Sequence, residues 1–415
     1  MDHKHPENLF AIVSPGLEAV CARELAALGL PGLEPATGGV AFSGRLADLY
    51  RASLHLRVAS RLLVRFARFR CRAFPDLYRA AVRLPWGRFV RPDTPLRFRV
   101  TCRNSRLLHT GRVAETLQAA ADHALGRAAL PVGGGGQLVL VRVVDDSVEL
   151  SIDSSGELLH RRGYRTSVTA APLRETLAAG VLQLLDWDGA MPLADPLCGT
   201  GTFLLEAALL AVCRAPGLQR EFAFMHWPGY RPGLWNQLSQ EARQDERPCP
   251  AVISGSDADA VALAAARANL GQAGLQEVVA LRQQPLSAQP VHSGSGLVVC
   301  NPPYGKRLVV AGPLADYFAG LGRELQRAFP EWRKALLCPD PRLAIATGLP
   351  LRKIAQLDNG GLQVGLYATR PVRGLAALGA GNCINLQPRG PRNPLPCQEN
   401  SVISHSLPDS GGYQK

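Results

Sequence analysis

Apolar and polar positions along this chain follow two successive regimes. In the first third, short period-two runs take turns with short runs of helical period. Phe10-Ala11-Ile12-Val13 reads as a strand, and Gly16 to Leu28 carries Leu17, Val20, Cys21, Leu25 and Leu28 on one helix face and stops at Gly29. A small α+β unit is predicted. In the run from Arg97 to Arg103, Arg97, Arg99 and Arg103 fall on one side of a strand while Phe98, Val100 and Cys102 fall on the other. Such a strand packs its apolar side and turns cations to solvent. A helix follows from a Thr110 N-cap, with Val113, Leu117, Ala121, Ala124 and Leu125 on one face and Gly126 closing it. The tract Gly133 to Gly136 predicts a loop. After it comes a hairpin, Leu138 to Val144 and Val148 to Ile152, turning at Asp145-Asp146-Ser147. This is a second α+β module.

From about residue 170, strands alternate with longer helices, the pattern of a parallel sheet covered on both faces, so the larger part is read as α/β. After Arg370 the chain is rich in Pro, Gly, Asn and Ser without an apolar period. Residues 371–415 are expected to be a disordered tail.

A length of 415 residues with 47% hydrophobic content fits two or three packed domains. No apolar run approaches the roughly 18 residues of a membrane span, and Met1 to His5 lacks a signal-peptide profile. The expectation is a soluble, cytoplasmic protein without a membrane partner. Ten cysteines lie scattered, the closest pair fourteen apart, so neither a Cys-x-x-Cys chelate nor a disulfide framework is expected, and no metal.

Charge adds a partner. Residues 1–44 hold two basic residues against five acids, a net −3, and residues 45–112 hold seventeen arginines against three acids, a net +14, which leaves only +1 for the rest of a chain whose total is +12. Arginine supplies 41 of the 46 basic residues. A codon bias explains arginine over lysine; it does not explain the missing acids. A polyanion does, because clustered cations release counterions and guanidinium forks match phosphate geometry.

Three constellations carry candidate chemistry. Leu193 to Thr202 (Leu-Ala-Asp-Pro-Leu-Cys-Gly-Thr-Gly-Thr) is a strand and a glycine turn leading into an apolar helix from Phe203 to Cys213, an arrangement that lets a ligand approach the backbone at a helix N-terminus. It departs from both the dinucleotide fingerprint and the phosphate loop, which disfavours NAD and ATP. Val252 to Asp257 is a strand ending in a carboxylate, with a helix from Ala258 to Leu270. Asp257 is placed to accept from ribose hydroxyls, although alone it would read as a helix N-cap. About forty residues between these two blocks, including His226 to Tyr230, form an insertion. The third is a buried strand, Leu297 to Cys300, running into Asn301-Pro302-Pro303-Tyr304. Its prolines stiffen the turn and leave carbonyls pointing outward. An amino group conjugated to a base is a poor nucleophile. Hydrogen bonds to the Asn301 side-chain oxygen and the Pro302 carbonyl would aim its lone pair and stabilise charge developing on nitrogen, with Tyr304 stacking on a base drawn out of its helix.

With these blocks the chain resembles the S-adenosylmethionine-dependent amino-methyltransferases that carry a THUMP RNA-binding domain. Within them it is most similar to bacterial large-subunit ribosomal RNA guanine-N2 methyltransferases, often labelled adenine-specific DNA methylases. Leu158 to Arg165 and Ala171 to Ala178 match the family's passage into the catalytic domain. The resemblance covers about residues 8–370. It implies a ferredoxin-like part (1–50), a THUMP-like part (51–160) and a Rossmann-like class I methyltransferase domain (161–370). It assigns cofactor contacts to Asp195, Pro196, Cys198, Gly199, Gly201, Thr202, Asp257 and Gln284, and catalysis to Asn301, Pro302, Pro303 and Tyr304. RNA contacts are expected from Arg97, Arg99, Arg103, Arg106, Arg161 and Arg162. Two departures stand out: Gln284 takes the place of the family's adenine-facing acid, and a second methyltransferase domain found in some relatives is absent, so one methylation is expected. The implied reaction is methylation of guanine N2 in ribosomal RNA. DNA adenine N6 and an RNA-binding assembly factor without catalysis are the alternatives. The enzymatic reading requires the corner at Asn301 to face the glycine bend at 199–201 across the sheet's carboxyl rim.

Overall fold

The computed structural model describes residues 6–128, 135–165, 173–303 and 313–370. Gly133, Gly134, Ala171, Pro172, Tyr304 and the expected tail 371–415 lie outside them. The N-terminal half runs β1 (Glu7–Val13), α1 (Glu18–Ala27), β2 (Glu34–Ala36), β3 (Gly39–Gly44), α2 (Leu46–His55), β4 (Ala59–Arg70), α3 (Phe74–Val82), β5 (Leu96–Arg103), α4 (Thr110–Ala124), β6 (Gln137–Val144) and β7 (Ser147–Asp153). All seven strands join one sheet in the order β2-β3-β1-β4-β7-β6-β5. The twelve-residue β4 is the joint, pairing antiparallel with β1 on one side and with β7 on the other. The two α+β units expected from the sequence therefore share a continuous sheet. β5 and β6 are its parallel pair, joined through α4.

Two local expectations are corrected. The N-cap of α4 is His109, whose ring Nδ1 accepts from the Arg112 N–H at 3.1 Å, one residue before Thr110. The β6–β7 turn has two residues, Asp145 and Asp146, at φ 51° and 60°, and Ser147 already belongs to β7. Aspartate tolerates that left-handed backbone, which matches the twist of the strands it joins.

The second half runs α5 (Glu175–Leu184), β8 (Leu193–Asp195), α6 (Thr202–Ala211), α7 (Pro232–Gln244), β9 (Ile253–Asp257), α8 (Ala260–Gln272), β10 (Val279–Gln283), β11 (Leu297–Cys300), α9 (Leu314–Ala328), β12 (Arg333–Cys338), α10 (Pro341–Ala346), β13 (Arg352–Asn359) and β14 (Leu362–Ala368). Its sheet has the order β10-β9-β8-β11-β12-β14-β13. The first five are parallel, and β14 runs antiparallel to both neighbours. Chain order reverses between β8 and β11, which makes the gap at their carboxyl ends the topological switch point where open α/β sheets bind ligands.

The insertion turns out to be mortar between the halves. Phe224 stacks on Tyr50 of α2 with ring centroids 4.6 Å apart, and Trp235 meets the same ring edge-on at 5.6 Å. Trp227 Nε1 donates to Gln137 Oε1 at 2.8 Å, and the Tyr50 hydroxyl accepts from the Arg231 N–H at 3.1 Å. Buried aromatic pairs of this kind add about 0.5–1.5 kcal/mol each beyond their burial. No helix among the described residues is long and apolar enough to cross a membrane.

Candidate active site

The first wall of the site is the turn from β8 into α6. Gly199 and Gly201 sit at φ +52° and +82°, a backbone that side chains with a Cβ rarely adopt. A Cβ added at Gly199 would meet nothing within 4 Å, so the loop borders open space, whereas one at Gly201 would approach Ala266 Cβ of α8 at 3.2 Å. The loop is held from below: Cys198 N–H donates to the Ser256 carbonyl at 3.0 Å, and Asn269 Nδ2 to the Thr200 carbonyl at 3.3 Å. Asp195 ends β8 nearly sealed from solvent, at 2% exposure, and its Oδ1 accepts from the Leu197 N–H at 3.2 Å. Burial pushes its carboxyl up to about 8; the Leu197 hydrogen bond opposes this and the charge of Asp257 reinforces it. Pro196 is buried. Burial, then Asp195 and Asp257, push the Cys198 thiol above its ordinary range, so it is a neutral wall rather than a nucleophile.

The second wall is the end of β9. Asp257 Oδ2 accepts from the Gly199 N–H at 2.8 Å and Oδ1 from the Asp259 N–H at 3.0 Å. Helix α8 is capped by Asp259, whose Oδ1 accepts from Val261 and Ala262, so Asp257 is not the cap. Each Asp257 oxygen keeps a lone pair for a further donor, and the two backbone contacts fix where it points. Gln284 follows β10 and is half-buried; its N–H donates to the Asp257 carbonyl at 3.1 Å, which seats it beside the carboxylate.

The third wall is β11, whose four residues are fully buried. Pairing of Leu297 with Leu193 and Val298 with Ala194 brings Asn301 out at the same rim as the glycine turn, on the neighbouring strand. Burial pushes the Cys300 thiol well up, and Asp195, Cys198 and Cys338 add to the effect, so the end of β11 lies within electrostatic reach of the loop. Among the described residues Asn301 Oδ1 is buried and accepts no hydrogen bond. Pro302 is buried and Pro303 half-buried, while Tyr304 falls outside the described residues.

Two groups escaped the sequence reading. Tyr317 of α9 is half-buried, its hydroxyl held up at about 12 by burial and then by Cys300 at the end of β11 and Asp257 at the end of β9. Within α9's apolar stripe it resembled a core residue. Arg165 donates through Nη2 to Thr202 Oγ1 at 2.9 Å and pairs through Nε with Glu175 at 3.0 Å, tying the first turn of α6 to α5.

The arginines expected to touch RNA divide. Arg97, Arg99, Arg103 and Arg106 are exposed; Arg161 is exposed and pairs with Glu157 at 2.8 Å. Arg162 is corrected. It is 3% exposed, paired with Glu206 at 3.3 Å and bonded to the carbonyls of Leu159 and Arg57, so it is a structural cation. Tyr164 adds its hydroxyl to Glu206 at 2.9 Å.

The site fits S-adenosylmethionine: open space beside Gly199, a positioned carboxylate for hydroxyls, and a buried acid able to face a cation. Among the described residues no cluster of three metal-ligating side chains occurs. Comparison with known proteins agrees with this architecture. Residues 162–356 match the RMKL-like methyltransferase domain, and residues 8–63 the RlmL ferredoxin-like domain. A Synechocystis protein provisionally named an RNA methyltransferase is 35% identical over 360 residues, covering 85% of this chain and 94% of its own length. The ribosomal RNA large subunit methyltransferase K/L of Methylococcus capsulatus is 35% identical over 373 residues; the match spans 87% of this chain but 50% of that protein. The crystal structure of SMU.472, provisionally a methyltransferase and complexed with SAH, superposes with a TM-score of 0.79 at 30% identity, over 89% of this chain and 99% of that one. Fold, site and relatives together place the chain in the RMKL-like methyltransferase family.

Proposed function

We propose that this protein transfers a methyl group from S-adenosylmethionine to the exocyclic amino group of a base in RNA, with guanine N2 of large-subunit ribosomal RNA as the target. The observation that carries the reading is the buried, unpaired Asn301 Oδ1 beside the glycine turn. A buried acceptor left unmatched in the resting protein costs free energy, and a substrate donor removes that cost.

Bound S-adenosylmethionine supplies a methyl group on a positively charged sulfur. The chain's own residues do the rest. Asp257 holds hydroxyls, oriented by Gly199 and Asp259. Asn301 Oδ1 and the Pro302 carbonyl accept the two amino N–H groups, which orients the nitrogen and stabilises the positive charge that builds on it. No base is required before transfer, because the proton leaves once the nitrogen is cationic. Tyr304 is assigned to stacking on the target base, and residues 1–160 to holding the RNA. The name of the Methylococcus relative and the arginine block favour RNA over DNA.

The test is incubation with labelled S-adenosylmethionine and separate pools of ribosomal RNA and genomic DNA, followed by digestion to nucleosides. Label in N2-methylguanosine is expected. Label in methyladenine of DNA would replace the substrate, and no label in either pool, with RNA still bound, would leave a binding factor.

A further inference from the structure

We propose that the outer face of the N-terminal sheet docks base-paired RNA through its phosphates. This rests on the reading of the chain as an RNA methyltransferase, and it adds the face and the form of the RNA.

Strand register assembles the face. Arg65, Arg68 and Arg70 of β4 lie opposite Ser151, Glu149 and Ser147 of β7. Glu149 lies opposite Arg142 of β6, and Arg142 opposite Thr101 of β5, which is flanked on its own strand by Arg97, Arg99 and Arg103. Opposed residues share a side of the sheet. The other side holds Val139, Val141, Val143, Val148, Leu150 and Ile152, all buried in the core with Leu77 of α3 and Val113 and Leu117 of α4. Seven arginines thus stand on one face, six of them exposed.

Among the described residues their counter-charge is missing. Glu149 is engaged by Arg65 at 3.3 Å. Among the described residues none of the six exposed arginines, Arg68, Arg70, Arg97, Arg99, Arg103 and Arg142, has a carboxylate within ion-pairing distance. Such a field repels itself until an anion covers it. Residues 371–415 carry four basic residues against two acids, so they do not complement it.

The form of the RNA follows from what the face lacks. Sheets that read unpaired bases offer aromatic rings for stacking. Here Phe66 and Phe98 point to the helix side, against Trp86, and Phe10 on the outer face is already covered by the Arg65 guanidinium at 4.0 Å. The charges stand in two ranks, along β4 and along β5, three strand spacings or about 14 Å apart, with steps of about 6.8 Å between alternate residues of a strand. Two ranks fit the two backbones of a helix better than one extended strand.

The test uses the full chain, a short RNA duplex and an oligouridylate of equal length, with binding followed by fluorescence anisotropy from about 50 to 200 mM KCl. The duplex is expected to bind more tightly than the oligouridylate. Each arginine–phosphate contact contributes about 0.9 to the slope of log K against log salt, so the triple variant Arg97→Gln, Arg99→Gln, Arg142→Gln should flatten the slope by 2 to 3 units. The matching triple lysine variant should keep it. SAH binding reports folding, and Arg68→Gln with Arg70→Gln repeats the measurement on β4 should the first variant fail to bind SAH. An unchanged slope in a folded variant, or preference for oligouridylate, overturns the proposal. Because the readout is binding, failure of RNA methylation would sink the catalytic reading and leave this one standing.

Discussion

Replacing Asn301 with alanine is expected to cut activity and raise stability in the same protein. The acceptor Oδ1 is buried without a partner at the end of a fully buried strand, so the folded state carries its desolvation, about 1–3 kcal/mol. Alanine removes that penalty and leaves a small gap that returns part of it, for a net stabilisation of roughly 0–2 kcal/mol. In a chain of this size that raises the midpoint of thermal unfolding by about 2 °C per kcal/mol, or somewhat less. In the reaction the same oxygen faces a nitrogen becoming cationic. Loss of one preorganised partner for developing charge costs about 2.7–4 kcal/mol, or two to three decades in the chemical step. Single-turnover transfer of label to ribosomal RNA measures the second quantity, and scanning calorimetry the first. Asn301→Asp keeps an acceptor of the same shape and should retain more activity than alanine while losing stability, since it puts a second carboxylate near Asp195. A variant that unfolds several degrees earlier yet methylates within threefold of the parent would refute the argument, because Oδ1 would then serve the fold and not the substrate.

Three further outcomes follow from the geometry. Asp195, with its carboxyl raised to about 8 against an ordinary 3.8, binds its proton more tightly in the folded state, so its contribution to stability falls as pH climbs from about 4 to about 8 and is flat above. A cationic donor beside it should expel that proton. Calorimetry in two buffers near neutral pH should record proton release with S-adenosylmethionine and less with the uncharged-sulfur product, and Asp195→Asn should abolish the difference. Glu206→Ala strands the buried Arg162 and should cost about 3–5 kcal/mol in urea unfolding; a loss below 1 kcal/mol would mean the pair is solvated. Gly201→Ala, at φ +82° and 3.2 Å from Ala266 Cβ, should lose about 1–2 kcal/mol and weaken SAH binding tenfold or more; unchanged affinity would detach the turn from the ligand.

Much of the site could be read along the chain because its parts are local. Four consecutive apolar residues before Asn301, paired glycines after Asp195 and an acid ending β9 each sit within one strand and its turn. What could not be read depends on partners far away. Arg161 and Arg162 are neighbours in a charged run, yet one pairs at the surface with Glu157 while the other reaches Glu206, forty-four residues on. Asp257 could be taken for a helix cap because the helix was expected from Ala258, whereas α8 starts at Ala260 and Asp259 caps it. The insertion of about forty residues could be read as an insertion but not for its role, because aromatic residues that pack across an interface have no period of their own. The single N-terminal sheet was hidden for a similar reason: β4 is long enough to serve two neighbours, and length alone does not say which.

The Tyr50, Phe222, Phe224 and Trp235 cluster cements the arginine-bearing half to the catalytic half. An enzyme built this way works as a caliper. Should the arginine face grip an RNA stem as proposed, the distance from that stem to the pocket would set which nucleotide is reached, and lengthening the stem by a few base pairs should move the target out of register.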